Sequence, residues 1–529
     1  MTPDAAGQPA AAPAAAARRP RDPRLDFFRG LAMFIILVAH IPGNGWTLWI
    51  PARFGWSDAT EIFVFCSGMA SALAFGGTFG SHGFAVGTAR IGYRVWQVYW
   101  AHVGLALAVI LLMWSVDAFG LGVPGKAYVP TLPIVPFFED TGLALWGLTT
   151  LTWVPNYLDI LPMYLVILAM IPAVMAAHRL GGIGGAAALC FGVWLLTQLG
   201  FLDLPSRPWD GNIPWFFDPF GWQLAFFTGF ALGMGWLTPP RPSRALNRAA
   251  LAVVLLTIPF AWFRIHDGLL LPPDWAATAW IAEARAATEF LWRKTEFGLF
   301  RWLHFLALAW LAVQAVGPRG ARLTEGVPPP PAPSRRWLWI AAAAVAVTFP
   351  YAWIDEIAAL APGLDRALTA ALGPGAIALV GTDLFLAGSW PAMAGVVHAA
   401  GLAVLAWAAL GPERRERASR RWLVAPVPII RKVGSQSLAV FLVSMVLAQA
   451  LGVVLDHLGR NLWTTAVVNL AGFAVLIAVA ELAGWYRAQP WRKPPAPSPA
   501  PFAAPASRRR SMAEAAVGVE ERCRRAGAS

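Results

Sequence analysis

The sequence predicts an all-α integral membrane protein, a multispanning bundle of about twelve helices (ten to twelve), and three observations carry that reading. Of 529 residues, 57% are hydrophobic and only 13% charged, about half the charged share of an ordinary soluble domain. Apolar runs of about 17–25 residues, the length that crosses a hydrocarbon core, recur along the whole chain. The basic residues behind the net charge of +12 sit in short gaps between those runs. That placement fits cytoplasmic loops and tails rather than a nucleic-acid surface.

Taken in order, residues 1–23 form an Ala/Pro tract with Arg18, Arg19 and Arg21 near its end and Arg24 just beyond it, and are expected to be a disordered cytoplasmic tail. A cleaved signal peptide is not expected, because the first apolar run holds Asp26, Arg29 and His40. The membrane domain is expected over 24–487, with spans near 27–46, 58–76, 95–116, 157–177, 183–201, 220–237, 246–263, 299–317, 337–354, 391–411, 435–455 and 463–484. Residues 488–529, rich in Pro, Ala and Arg, read as a second disordered basic tail.

Loop charge sets the expected topology. With the N-terminus inside, the inner loops collect Arg90, Arg94, Arg179, Arg241, Arg244, Arg248, Arg319, Arg322, Arg335 and Arg336. The 412–432 loop adds seven further basic residues. The outer loops carry acids instead, among them Glu139, Asp140, Asp203, Asp210, Asp218, Asp267, Asp355, Glu356 and Asp456. This asymmetry predicts twelve spans with both ends cytoplasmic. Two outer loops, 117–156 and 264–298, are long; such loops either cover a functional site or merely connect spans. Cys66, Cys190 and Cys523 have neither metal nor redox spacing, and no metal site is expected.

The first span, RLDFFRGLAMFIILVAHIPGN, is the most informative. Ionisable groups inside a span are costly and usually serve a function. Arg29 and His40 are eleven residues apart, about 1100° of helical rotation, only about 20° past three turns, so they share a face about 16 Å apart along the axis. Asp26 and Asn44 extend that stripe at either end. The plain alternative is that Arg29 and His40 each snorkel to the nearer interface.

The second span, RFGWSDATEIFVFCSGMASALAFG, supplies two carboxylates one turn apart, Asp58 and Glu61, near the level of His40. Either can orient an imidazole that takes a proton from a hydroxyl. Alternatively Asp58 or Ser57 is only an N-cap, with Glu61 at the capping-box position. Small residues Ser67, Gly68, Ala70, Ser71 and Ala72 allow close helix approach. Arg53, at the head of this stretch, joins Arg29 among the residues expected to bind substrate or donor.

These two stretches resemble the opening of OpgC-type proteins, within the acyltransferase-3 superfamily of multispanning acyl transferases. That superfamily carries an Arg, ten residues and a His in its first span, matched by Arg29 and His40, and an FFVLSG-like stretch in its second, matched by 63–68. Further similarities are YLDILPMYLVIL (157–168), FFDPFGWQLAFFTGF (216–230), LHFLALAW (303–310) and GSQSLAVFLVSMVLAQ (434–449). The resemblance covers about 20–317 and 430–485. It implies O-acyl transfer, such as succinyl transfer, from a cytoplasmic acyl-CoA to a hydroxyl of an extracytoplasmic glycan such as an osmoregulated periplasmic glucan, in a bacterial inner membrane. The acyl-CoA is then a co-substrate, and no tightly bound cofactor is expected. On that reading Arg29 holds an anionic group of the donor, His40 is the general base, and Asp58 or Glu61 orients it. Asn156, Asp159, Gln223, His304 and Ser437 are further binding candidates, each also explicable as a helix–helix hydrogen bond.

Residues 318–430, which include YAWIDE (351–356) and TDLFLAGSW (382–390), read as an inserted pair of spans between the stretches that resemble the family. The rival reading is a transporter or flippase of a polar or glycan-linked solute. Such proteins place charges in spans and use internal repeats, but no repeat of the first two spans recurs later.

Overall fold

A computed structural model describes residues 22–211, 213–268, 275–325, 329–352 and 389–491. The tails, apart from 22–23 and 488–491, and most of YAWIDE and TDLFLAGSW lie outside the described residues. The described chain is helical, apart from one short antiparallel pairing of Pro205–Ser206 with Ile213–Pro214. Its principal helices are α1 (Pro23–His40), α2 (Ala59–Ser71), α3 (Phe84–Ala118), α4 (Ile160–Gln198), α5 (Pro219–Met234), α6 (Arg244–Ala261), α7 (Leu299–Val316), α8 (Arg335–Ala352), α9 (Ser389–Ala409), α10 (Pro426–Ser435), α11 (Ser437–Leu458) and α12 (Leu462–Ala488).

Among the described residues, seven helices are long and apolar enough to cross a membrane: Ala59–Ser81, which is α2 with its extension, and α3, α4, α6, α7, α11 and α12. This is a helical membrane protein, but the count falls short of the twelve spans expected. Three of the five missing spans have local causes, and the other two, 337–354 and 391–411, adjoin residues outside the described ones. α5 has 16 residues, and α1 carries Arg24, Asp26 and Arg29 among its 18. Two expected spans, 157–177 and 183–201, fall together on α4. Its 39 residues would extend about 58 Å if straight, near twice the hydrocarbon thickness. The helix breaks between them, where Gly181 leaves helical geometry and Gly182 takes φ +58°, a conformation glycine adopts without steric cost.

The chain divides into two units, Met1–Glu481 and Leu482–Ser529. In the second, Trp485, Tyr486 and Trp491 pack ring against ring. In the first, α1 packs on α2, α10 and α11, and α5 packs on both α2 and α4. α8 and α9, from the segment expected as an insertion, pack extensively on each other.

Glycines set the closest crossings. A Cβ on Gly68 would lie 1.9 Å from the Phe226 carbonyl oxygen, and one on Gly229 would lie 2.1 Å from that of Phe65. α2 and α5 therefore touch backbone to backbone, as the small-residue run of α2 predicts. α1 meets α10 in the same way. A Cβ on Gly30 would sit 1.9 Å from the Ile430 oxygen, and one on Gly434 would sit 1.8 Å from that of Asp26.

Candidate functional site

His40 is the last residue of α1 and is half-buried. Its Nδ1 lies 2.7 Å from the Ile36 carbonyl oxygen, one turn back on its own helix. A carbonyl only accepts, so Nδ1 carries the proton and Nε2 presents its lone pair. The imidazole is thus held in the tautomer a general base needs, by a bond the helix itself supplies. The Tyr157 ring meets it edge-on, with centroids 5.5 Å apart, and Gln449 donates to the His40 carbonyl at 3.5 Å.

The carboxylates expected to orient His40 have other partners. Asp58 caps α2, accepting from the Thr60 N–H at 2.6 Å, while Glu61 reaches back to the Asp58 N–H at 2.7 Å. Together they close a capping box. Each also pairs with a cation from far along the chain. Lys294 Nζ lies 2.7 Å from Asp58, and Arg301 Nε lies 2.8 Å from Glu61. Glu61 is wholly buried and Arg301 nearly so. An unpaired charge there would cost several kcal/mol, about 3–5 when one partner of a buried pair is removed. The expectation that Asp58 or Glu61 fixes the imidazole is therefore corrected in one respect: Ile36 makes that contact.

His304 sits beside this network. Its Nδ1 accepts from the Ser57 N–H at 3.3 Å and lies 2.7 Å from Ser57 Oγ, while its buried Nε2 has no hydrogen-bond partner. Gly55 makes room for the ring, since a Cβ there would lie 2.3 Å from the imidazole. Asp159 is buried at the start of α4, with Oδ2 without a hydrogen-bond partner. Asn156 is exposed beside Tyr157.

Other candidates have structural duties. Asn44 and Asn469 bond reciprocally at 2.9 and 3.0 Å, and Asn44 also donates to the Val38 carbonyl and caps the following turn. Arg53 donates to the Thr47 carbonyl at 3.1 Å. Gln223, fully buried in α5, donates to the Cys190 carbonyl at 2.7 Å and ties α5 to α4.

At the opposite end of α1, Arg29 donates to Ser437 Oγ at the start of α11, and Asp26 is buried one turn away. The backbone contact at Gly30 and Gly434 clamps this end against α10. So Arg29, Asp26 and Ser437 form one group and His40, Asp58, Glu61 and His304 fall in another region, with α1 between.

Lys294, Arg301 and Tyr157 escaped the sequence reading. Arg301 had a signal: it stands three residues before His304 in the same apolar run, and buried Glu61 requires a cation. Tyr157 had none, because its φ of +138° is a property of the fold. Strained backbone of this kind gathers at functional sites.

No curated protein matches the chain, and no solved structure does. The family model described as OpgC protein matches residues 21–342 and 323–488. Its second stretch runs through most of the segment read as an insertion, and the two stretches overlap where that segment begins. Together they cover nearly all of the chain outside its tails, and the protein belongs to the OpgC family.

Proposed function

We propose that this protein is a membrane-embedded O-acyltransferase, moving an acyl group such as succinyl from a cytoplasmic acyl-CoA to a hydroxyl of an extracytoplasmic glucan. Membership of the OpgC family supports a glucan-modifying transferase. The single observation that carries the mechanism is the Nδ1 contact to Ile36, which leaves His40 Nε2 as a fixed proton acceptor.

In the proposed step, a glycan oxygen attacks the thioester carbonyl carbon while His40 Nε2 takes the hydroxyl proton. The C–O bond forms, the C–S bond breaks, and the thiolate of CoA leaves. Lys294, paired with Asp58, keeps a cation near the imidazole where negative charge develops on the carbonyl oxygen. Arg29, about 16 Å along α1, anchors an anionic group of the donor. We place the protein in the bacterial inner membrane with twelve spans and both ends cytoplasmic, and within the acyltransferase-3 superfamily. Loop charge and the Arg29–His40 spacing support this placement.

The test is transfer of labelled acyl groups from acyl-CoA to a glucan by the purified protein in detergent. We expect the wild type to label the glucan and His40→Ala to lose transfer. Transfer that survives His40→Ala unchanged overturns the mechanism. Passage of a solute across proteoliposomes without acyl chemistry overturns the function.

A further inference from the structure

A cleft of about 370 Å³ opens where two short helices, Pro136–Glu139 and Thr141–Thr150, and the stretch after them to Trp153 meet the residues that follow the strand Pro205–Ser206. Its lining includes Trp153 and Trp209, the carboxylates Glu139, Asp140 and Asp210, and Arg207. We propose that this cleft is the docking subsite for the acceptor glycan, and that it selects a neutral one. The proposal rests on the acylation reading and adds where the sugar binds and which charge class is accepted.

Three features make the cleft a built site. Trp153 is buried at its base, while Trp209 is part-exposed. Trp209 is held in position: its ring stands 6.0 Å from Trp146, and it crosses Gly147 so closely that a Cβ there would meet it at 2.6 Å. A fixed, half-open indole offers an apolar face to the C–H surface of a sugar ring, with polar groups at its edge.

The polar groups match as well. Carboxylates accept from sugar hydroxyls and a guanidinium donates to them. Arg207 is braced by Asp210 at 2.9 Å and by its own N–H on the Thr152 carbonyl at 2.6 Å. Arg207 in the lining holds positive φ, at 55°, and so does Leu151, two residues before Trp153, at 58°. Non-glycine residues in that region store strain that functional sites commonly retain.

The cleft is also on a short tether to His40. Trp153 is four residues from Tyr157, so the chain between them spans at most about 14 Å. Tyr157 lies edge-on to His40. A glycan seated on Trp209 therefore lies on the same side of the bundle as the proposed base. Three carboxylates against one guanidinium leave the lining net negative. A neutral sugar is admitted, and one already carrying acidic substituents is repelled. If the added acyl group is succinyl, its new carboxylate also weakens the product's hold.

The test is equilibrium binding to the full-length protein in nanodiscs, without any acyl donor. The probes are a neutral glucose oligosaccharide and the same oligosaccharide carrying carboxymethyl groups. We expect saturable binding of the neutral sugar, and binding of the charged one weaker by about tenfold or more. Trp209→Ala should weaken the neutral sugar by about tenfold, while Trp209→Phe retains most of the affinity and Trp463→Ala, at an exposed tryptophan elsewhere, changes nothing. Absence of binding, equal binding of both probes, or a Trp209→Ala protein that binds as tightly as wild type overturns the proposal. Failure of the acylation reading would show separately, as an acyl-CoA that is not consumed while the neutral sugar still binds.

Discussion

The two ends of α1 hold their ionisable residues in contrasting ways. At the Arg29 end, the guanidinium is tied to Ser437 on another helix, and glycines bring the backbones of α1 and α10 into contact. At the His40 end, the imidazole is tied only to its own helix, is half-buried, and keeps Nε2 unengaged, while the charges around it are paired with one another. Rigid packing suits a residue that must hold one group of a donor in place. A side chain fixed in tautomer but open at one atom suits a residue that must exchange a proton. On the proposed mechanism the difference separates chemistry from anchorage along a single helix, and substitutions at the two ends should therefore fail in different assays.

The largest effect is expected at His40. His40→Ala should lower acyl transfer by about 100- to 10,000-fold, the usual contribution of general acid–base catalysis. Its unfolding midpoint in detergent should stay near that of wild type, because the imidazole makes only a local bond. A large loss of stability in this variant would break the contrast, since it would make His40 an anchor like Arg29.

Next comes Arg301→Ala, expected to cost about 3–5 kcal/mol by stranding the buried charge of Glu61. The readout is the thermal unfolding midpoint of the purified protein. Adding Glu61→Gln to Arg301→Ala should recover part of the loss, because the stranded charge is then gone. A double variant no better than the single one would show that Arg301 acts through packing instead.

Much of this arrangement was open to reading from the chain, and the reasons are physical. That Arg29 and His40 share a face follows from helical periodicity, and the capping box, weighed as the alternative role of Asp58 and Glu61, follows from an N-cap residue with Glu three positions on. The apolar runs were legible as helices, and among the described residues seven helices meet the length and composition of a span. Charge in the first turns of α1, the brevity of α5 and the joining of two runs on α4 account for three of the five missing spans, and the other two, 337–354 and 391–411, adjoin residues outside the described ones. What sequence could not give was partnership across distance. Lys294 and Arg301 meet Asp58 and Glu61 across 236 and 240 residues, and nothing local announces a pairing of that range. Nor could it give the bond to Ile36, because whether a terminal imidazole turns back onto its helix depends on what surrounds it.

At the Arg29 end the prediction concerns shape. Gly434→Ala adds a methyl group where the Asp26 carbonyl oxygen already stands 1.8 Å away, and backbone cannot swing aside as a flexible side chain can. Overpacking of this kind costs about 1–3 kcal/mol and sometimes more. Thermal unfolding should report it, whereas Gly80→Ala, with nothing within 4 Å of the added carbon, should leave the midpoint nearly unchanged. Equal behaviour of the two variants would mean that α1 and α10 do not approach this closely in the membrane.

The smallest effect is the most discriminating. Tyr157 donates its hydroxyl to the Met445 carbonyl at 2.5 Å while its ring edge meets His40. Tyr157→Phe removes the hydrogen bond and keeps the ring, which should cost about 0.5–1.5 kcal/mol of stability. Acyl transfer should fall little, because the groups assigned to chemistry remain in place. A fall approaching the loss expected for His40→Ala, at unchanged stability, would mean that the Tyr157 hydroxyl leaves Met445 to act on the substrate. His40 would then not be the only reactive group at its end of α1, and the strained backbone of Tyr157 would have a catalytic reason rather than a structural one.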